Sequence, residues 1–239
     1  MSGHSKWSKI KHQKAVGDAK KSTLFSKMSR LITVAAREGG DPNLNFKLRL
    51  AIDSAKAVGV PKENIERAIK RGTGEDKELA AFEEVIYEGF GPGGVALMIY
   101  VVTDNKNRAI SEIKHILNKY GGSLAGSGSV SWMFSRKGTI RVDKKSLKDS
   151  DILNFALEVG ADDYNEEDET VVFYTKPEEL QKVQEKIKEK GVNIEAAEVE
   201  FIAKEPIKIS DPQLKENLEK MFEELDENED VNDIFTNIV

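Results

Sequence analysis

Few residues in this chain are of types that make or break bonds. Its histidines are His4, His12 and His115, and it has no cysteine, which removes thiolate zinc sites, disulfides and cysteine nucleophiles together. Neither an H-E-x-x-H pair nor a G-x-S-x-G elbow occurs. Carboxylates are plentiful, but no spacing singles out a working pair. No catalytic residue, metal, cofactor or small-molecule substrate is therefore expected, and the chain reads as a non-enzyme. Two glycine-rich stretches invite a phosphate reading. "GFGPGG" carries G-x-G-x-x-G at Gly89, Gly91 and Gly94, but such a loop must open a helix to bind phosphate. The strand-like run that follows makes a hairpin the alternative. "GGSLAGSGS", Gly121 to Ser129, could offer backbone amides to an anion. It lacks the lysine of a P-loop, and a partner-contacting loop is its other reading.

The stretch "GHSKWSKIKHQKA", Gly3 to Ala15, points more directly to a ligand. It places Lys6, Lys9, Lys11 and Lys14 around Trp7 and His12 without a carboxylate. Lysines neutralise phosphates without reading sequence, and an indole stacks on an unpaired base. The surrounding charge agrees. Residues 1–72 hold 16 Lys and Arg against 6 Asp and Glu, a balance of +10, whereas the rest holds 20 against 36, a balance of −16, which together give the net −6. A basic module that approaches a polyanion and an acidic body that does not is the organisation this implies. Nucleic acid, DNA or RNA, is the expected partner.

The elements that must carry these residues follow from periodicity. Residues 1 to about 16 have no clean apolar period and read as an arm. Leu24, Met28, Leu31, Ile32 and Ala35 then form one stripe of an amphipathic helix ended by Gly39-Gly40. Lys20, Lys21, Lys27, Arg30 and Arg37 fall off that stripe, facing water or a partner. A second helix is expected from Asn45 to Val58. A third runs from Pro61 to Arg71, with Lys62, Asn64, Arg67, Lys70 and Arg71 on its polar side. The second and third have the spacing of a helix-turn-helix, although any αα-hairpin shares it.

From Glu83 the period becomes that of strands. Strands are expected at 83–90, 95–103 and 129–135, with a helix at 105–120 whose inward stripe is Ile110, Ile113 and Leu117. Residues 138–202 read as βαββαβ, a ferredoxin-like unit. A helix at 212–225 and the apolar end "DIFTNIV" complete the interrupted unit before it. The acidic stretch Glu223 to Asp230 reads as a solvated helix end. The longest apolar run, Val95 to Val102, is too short to span a bilayer. No secretory signal is recognised, and a cytoplasmic location without membrane contact is expected.

"GHSKWSKIKHQKA", "DAKK", "AAREGGDPNLN", "LRLAIDSAKAVGVPKENIERAIKRGTG", "YEGFGPGGVAL", "TDNKNRA" and "GSGSVSWMF", occurring in order, resemble the YebC/PmpR family, which includes the mitochondrial translational activator of cytochrome oxidase. The resemblance spans essentially the whole chain. It implies an α+β multidomain fold, with an N-terminal three-helix domain followed by two ferredoxin-like α/β sandwich domains, the middle one discontinuous. The expected boundaries are 1–78, 79–136 with 206–239, and an inserted 137–205. It also implies a DNA-binding transcriptional regulator, or, after the mitochondrial relatives, a ribosome-associated translation factor on ribosomal RNA. The family's basic signature falls on Lys6, Trp7, Lys9, Lys11, His12 and Lys14, with Lys20, Lys21, Arg30 and Arg37 behind them. Gln13 stands where the family often has arginine, and Ser22-Thr23 follows Lys21 where another basic residue is common.

Overall fold

The structure, a computed structural model, describes residues 18–75, 82–147 and 151–239. The N-terminal arm therefore lies outside the described residues. Three helices open the described chain: α1 (Asp18–Ala35), α2 (Phe46–Ala57) and α3 (Lys62–Gly72). Their common core is built from Met28, Ile32 and Ala35 of α1, Leu48, Ile52 and Ala55 of α2, and Ile65 and Ala68 of α3. The stripe expected on α1 is thus the buried one. Both α2 and α3 pack chiefly on α1 rather than on each other.

Asn45 joins the first two helices. Its Nδ2 donates to the carbonyl oxygens of Ala35 at 2.7 Å and Gly39 at 2.8 Å, where α1 ends. Its Oδ1 accepts from the Leu48 amide at 3.0 Å and so caps α2. One buried side chain thereby satisfies orphan groups at the end of one helix and the start of the next.

The next strands are β1 (Glu83–Phe90) and β2 (Ala96–Thr103), followed by α4 (Lys106–Lys119), β3 (Ser123–Ala125) and β4 (Phe134–Asp143). Then come α5 (Ile152–Val159), β5 (Asp163–Glu166), β6 (Thr170–Thr175), α6 (Leu180–Glu189), β7 (Ile194–Ala203), α7 (Pro212–Glu227) and β8 (Val231–Thr236). They form two four-stranded sheets, ordered β3-β1-β2-β8 and β5-β6-β4-β7. The second order, joined as β4-α5-β5-β6-α6-β7, is ferredoxin-like.

Two compact units result. Residues 134–202 make one, and the described residues up to Met133 together with Ala203–Val239 make the other. In the larger unit β2 is buried on both faces, which is why it reads as a continuous apolar run. On one side Leu97, Ile99 and Val101 meet Ile113 and Leu117 of α4 and Leu218, Met221 and Leu225 of α7. On the other side Val102 and Tyr100 meet Phe82 and Leu31 and Val34 of α1. Among the described residues no helix is long and apolar enough to cross a membrane.

Four expectations need correction. Residues 129–133 are not strand: Ser131–Met133 is a 3-10 turn and β4 begins only at Phe134, while the short strand is Ser123–Ala125. The cause is Glu88, described below. On α4 the inward stripe is Ala109, Ile113, Ile116 and Leu117, and Ile110 is 38% exposed. Lys27 and Arg30 are not free surface cations. Lys27 is 2% exposed and donates to Asp226, and Arg30 is bound to Glu229 and Asp230. The acidic stretch is accordingly not simply a solvated helix end, because Asp226, Glu229 and Asp230 bind the basic helix.

Candidate nucleic-acid interface

An open groove of about 590 Å³ lies between α1 and α3. On α1 it is lined by Ser22, Phe25, Ser26, Ser29, Arg30 and Thr33, at i, i+3, i+4, i+7, i+8 and i+11. On α3 it is lined by Asn64, Arg67, Ala68 and Arg71, at i, i+3, i+4 and i+7, and Phe82 joins them. Each set is one stripe of its helix. The α1 stripe runs beside the apolar one, and its hydroxyls leave the space between the helices unfilled by core side chains. The two walls meet at Gly72, where a Cβ would stand 2.3 Å from the Thr33 carbonyl oxygen and 2.6 Å from the Ala36 Cβ. Thr33 Oγ1 donates to the Ser29 carbonyl at 2.8 Å and reaches the Ala68 carbonyl at 3.2 Å.

Among the described residues no carboxylate lines the groove, and three guanidiniums do. Phe82 orients two of them, with Arg30 5.5 Å and Arg71 5.2 Å from its ring centroid. Arg30 is neutralised from behind: Nη1 lies 2.9 Å from Asp230 Oδ1 and Nη2 lies 3.0 Å from Glu229 Oε2. Asp230, with a 2% exposed side chain, is shared with Arg108, whose Nη2 approaches Oδ2 at 2.8 Å. Arg71 has no such counter-ion among the described residues, and its Nε is buried without a hydrogen-bond partner. Arg67 is exposed and also forms no ion pair among the described residues.

The remaining expected site residues are dispersed. Lys6, Trp7, Lys9, Lys11, His12 and Lys14 lie outside the described residues. Lys20 is the third residue of α1, and Lys21 follows it, exposed. Arg37 is exposed on the 3-10 turn Ala36–Glu38, away from the groove. Lys62, with an 89% exposed side chain, pairs with Glu66 at 3.6 Å. Lys70 is exposed on α3. The outward face of α3 thus mixes Lys62, Arg67 and Lys70 with Glu63 and Glu66, all exposed. Those carboxylates would face phosphates if α3 lay in a major groove. Sequence reasoning missed Phe25, Phe82 and the serine stripe. The spacing of Ser22, Ser26, Ser29 and Thr33 could have revealed the last, because it repeats the apolar period one register over.

Neither glycine-rich stretch is a free phosphate cradle. In "GFGPGG" the Gly91 amide donates to the Val95 carbonyl at 2.8 Å and the chain turns directly into β2. A Cβ on Gly91 would stand 3.1 Å from Met221 Cε and one on Gly93 2.7 Å from Leu214 Cδ2, so these glycines admit α7. "GGSLAGSGS" does lead into an anion-binding turn, and the anion is the protein's own. The Glu88 carboxylate accepts from the amides of Gly128 at 2.7 Å, Val130 at 2.6 Å and Ser131 at 2.9 Å. Burial pushes this carboxyl up, but those amides outweigh it and hold its pKa below the ordinary value.

The comparisons agree with this architecture. Residues 5–75 match the model of the TACO1/YebC protein N-terminal domain, and residues 82–238 that of the TACO1/YebC second and third domain. A protein of Dictyoglomus turgidum is 49% identical over 99% of this chain and 95% of its own length. One of Thermotoga maritima is 48% identical over 99% and 93%. Both are named probable transcriptional regulatory proteins. The crystal structure of a conserved hypothetical protein from Aquifex aeolicus superposes with a TM-score of 0.88 at 45% identity, covering 98% of this chain and 97% of that one. With both models matched along nearly its full length, the chain belongs to the TACO1/YebC family.

Proposed function

We propose that this protein is a non-enzymatic regulator of gene expression that acts by binding nucleic acid through its basic N-terminal region. One observation carries the reading. In a chain of net charge −6, the helical region presents Arg37, Arg67, Lys70 and Arg71, which have no carboxylate partner among the described residues. Surface cations usually find carboxylates in so acidic a chain, and cations that do not are available to a polyanion. The relatives' names, probable transcriptional regulatory protein, support DNA as the target. In this reading Lys6, Lys9, Lys11, Lys14, His12 and Trp7 extend the contact, with Lys20, Lys21 and Lys62 at its margin. Arg30 positions the helix that carries it.

Binding of the full chain to duplex DNA is expected to weaken steeply with salt. Replacing Lys9, Lys11 and Lys14 by glutamine should flatten the log–log slope by about one unit per lost phosphate contact. A chain that binds no nucleic acid at low salt would sink the proposal. Ribosomal RNA is a second reading, because the carboxylates on the outward face of α3 weigh against its insertion into a DNA major groove. Co-sedimentation with ribosomes against excess duplex DNA separates the two targets.

A further inference from the structure

Resting on that reading, we infer that the α1–α3 groove is a binding site for single-stranded polynucleotide. Arg67 and Arg71 take adjacent phosphates there, and Phe25 lies beside a base. The shape favours a single strand over a duplex. A duplex is a convex cylinder read by elements that protrude into its grooves. Here the cations line a notch whose walls meet at Gly72, and a notch suits a strand better than a convex duplex.

The chemistry fits the backbone of such a strand. Arg67 and Arg71 lie one helical turn apart, about 6 Å along the axis, which is comparable with the step between neighbouring phosphates on a strand. Arg71 is already held by the Phe82 ring at 5.2 Å. Ser22, Ser26 and Asn64 supply neutral hydrogen-bonding groups along the same walls. Phe25 is the groove's half-buried aromatic on α1, and an aromatic face is what bases stack on in single-strand sites.

The test uses the full chain and three fluorescent probes of equal length: oligo-U, oligo-dT and a random duplex. The wild type is expected to bind the single strands more tightly than the duplex, and the ratio of oligo-U to oligo-dT tells whether RNA or DNA is preferred. Arg67→Gln, an exposed change that leaves the core intact, should weaken single-strand binding about fivefold or more and lower the salt slope by about 0.7. Arg71→Gln should do the same, and Arg71→Lys should restore the slope without the full affinity, because a lysine keeps the charge but loses the fork. Phe25→Leu should cost about five- to a hundredfold with the slope unchanged. Its thermal unfolding would be read alongside, since the ring also touches the core. Lys62→Gln, outside the groove, should change affinity less than either arginine variant. If the wild type prefers the duplex, or if both arginine variants bind single strands as the wild type does, the groove assignment falls while the nucleic-acid reading stands. If the wild type binds none of the probes, both fall.

Discussion

Glu88 shows how much one side chain decides. It sits on β1 opposite Met98 of β2, 7% exposed, and its charge is compensated by backbone amides rather than by a cation. Three charge-assisted bonds to one carboxylate hold Gly128 to Ser131 in a turn, and each such bond contributes about 1.5–3 kcal/mol. Glu88→Gln keeps the shape but turns a donor toward amides that need an acceptor. It should lower unfolding free energy by about 2 kcal/mol at neutral pH, measured by urea denaturation. The pH dependence follows from the lowered pKa. A carboxyl whose folded pKa lies below its unfolded value contributes stability that is present above the unfolded value and is lost as pH falls through the folded one. The gap between wild type and Glu88→Gln should therefore be constant near neutrality and narrow in acid, below the ordinary carboxylate range. A gap that widened on acidification would refute this account of the turn. The same residue explains a misreading. "SVSWMFS" has the composition of a strand, and nothing local reveals that a carboxylate more than forty residues earlier draws its amides into a turn.

At the scale of elements, the helices and most strands are legible because their burial is periodic. β1 and β6 fall where the alternation and β-branched content place them. The three helices of the N-terminal region follow from their apolar stripes and their punctuation by Gly and Pro. Less legible is which helix packs on which. The spacing between α2 and α3 suits a helix-turn-helix, yet both pack mainly on α1, because the close approach is granted by Gly72 and not by the corner at Gly59. Sequence shows a glycine at position 72; only the fold shows that its missing Cβ lies against the Thr33 carbonyl and Ala36. Gly72→Ala would put a methyl 2.3 Å from a backbone oxygen, so α1 and α3 must separate. The expected cost is about 1–3 kcal/mol, read as a lower Tm, together with weaker single-strand binding because the groove changes width. Gly74→Ser is a poor control, since φ is +79° there; Thr73→Ser, exposed at the same helix end, should leave both quantities unchanged.

At the scale of the molecule, the charge division that is so plain in the sequence is partly cancelled in the structure. Lys27 and Arg30 spend their charge on Asp226, Glu229 and Asp230, about 200 residues away. That separation is why they read as surface groups and why the acidic stretch reads as solvated: each pattern is locally ordinary, and only the partner's position changes its meaning. The consequence is mechanical. The basic helices are not a bead on a string, because α1 is bound to the start of β8 by Asp230, which also holds Arg108 at the start of α4. Removing one member of a buried ionic group leaves the others uncompensated, at a cost of about 3–5 kcal/mol. Asp230→Asn should therefore destabilise α1 and the first sheet together. Hydrogen exchange followed by mass spectrometry should show faster exchange in peptides covering both Asp18–Ala35 and Ala96–Thr103. Peptides within residues 134–202, a separate compact unit, should keep the wild-type rate. If only α1 loosened, the tie would be a local clamp on one helix; joint loosening means that the basic helices and the sheet beneath them share one cooperative unit.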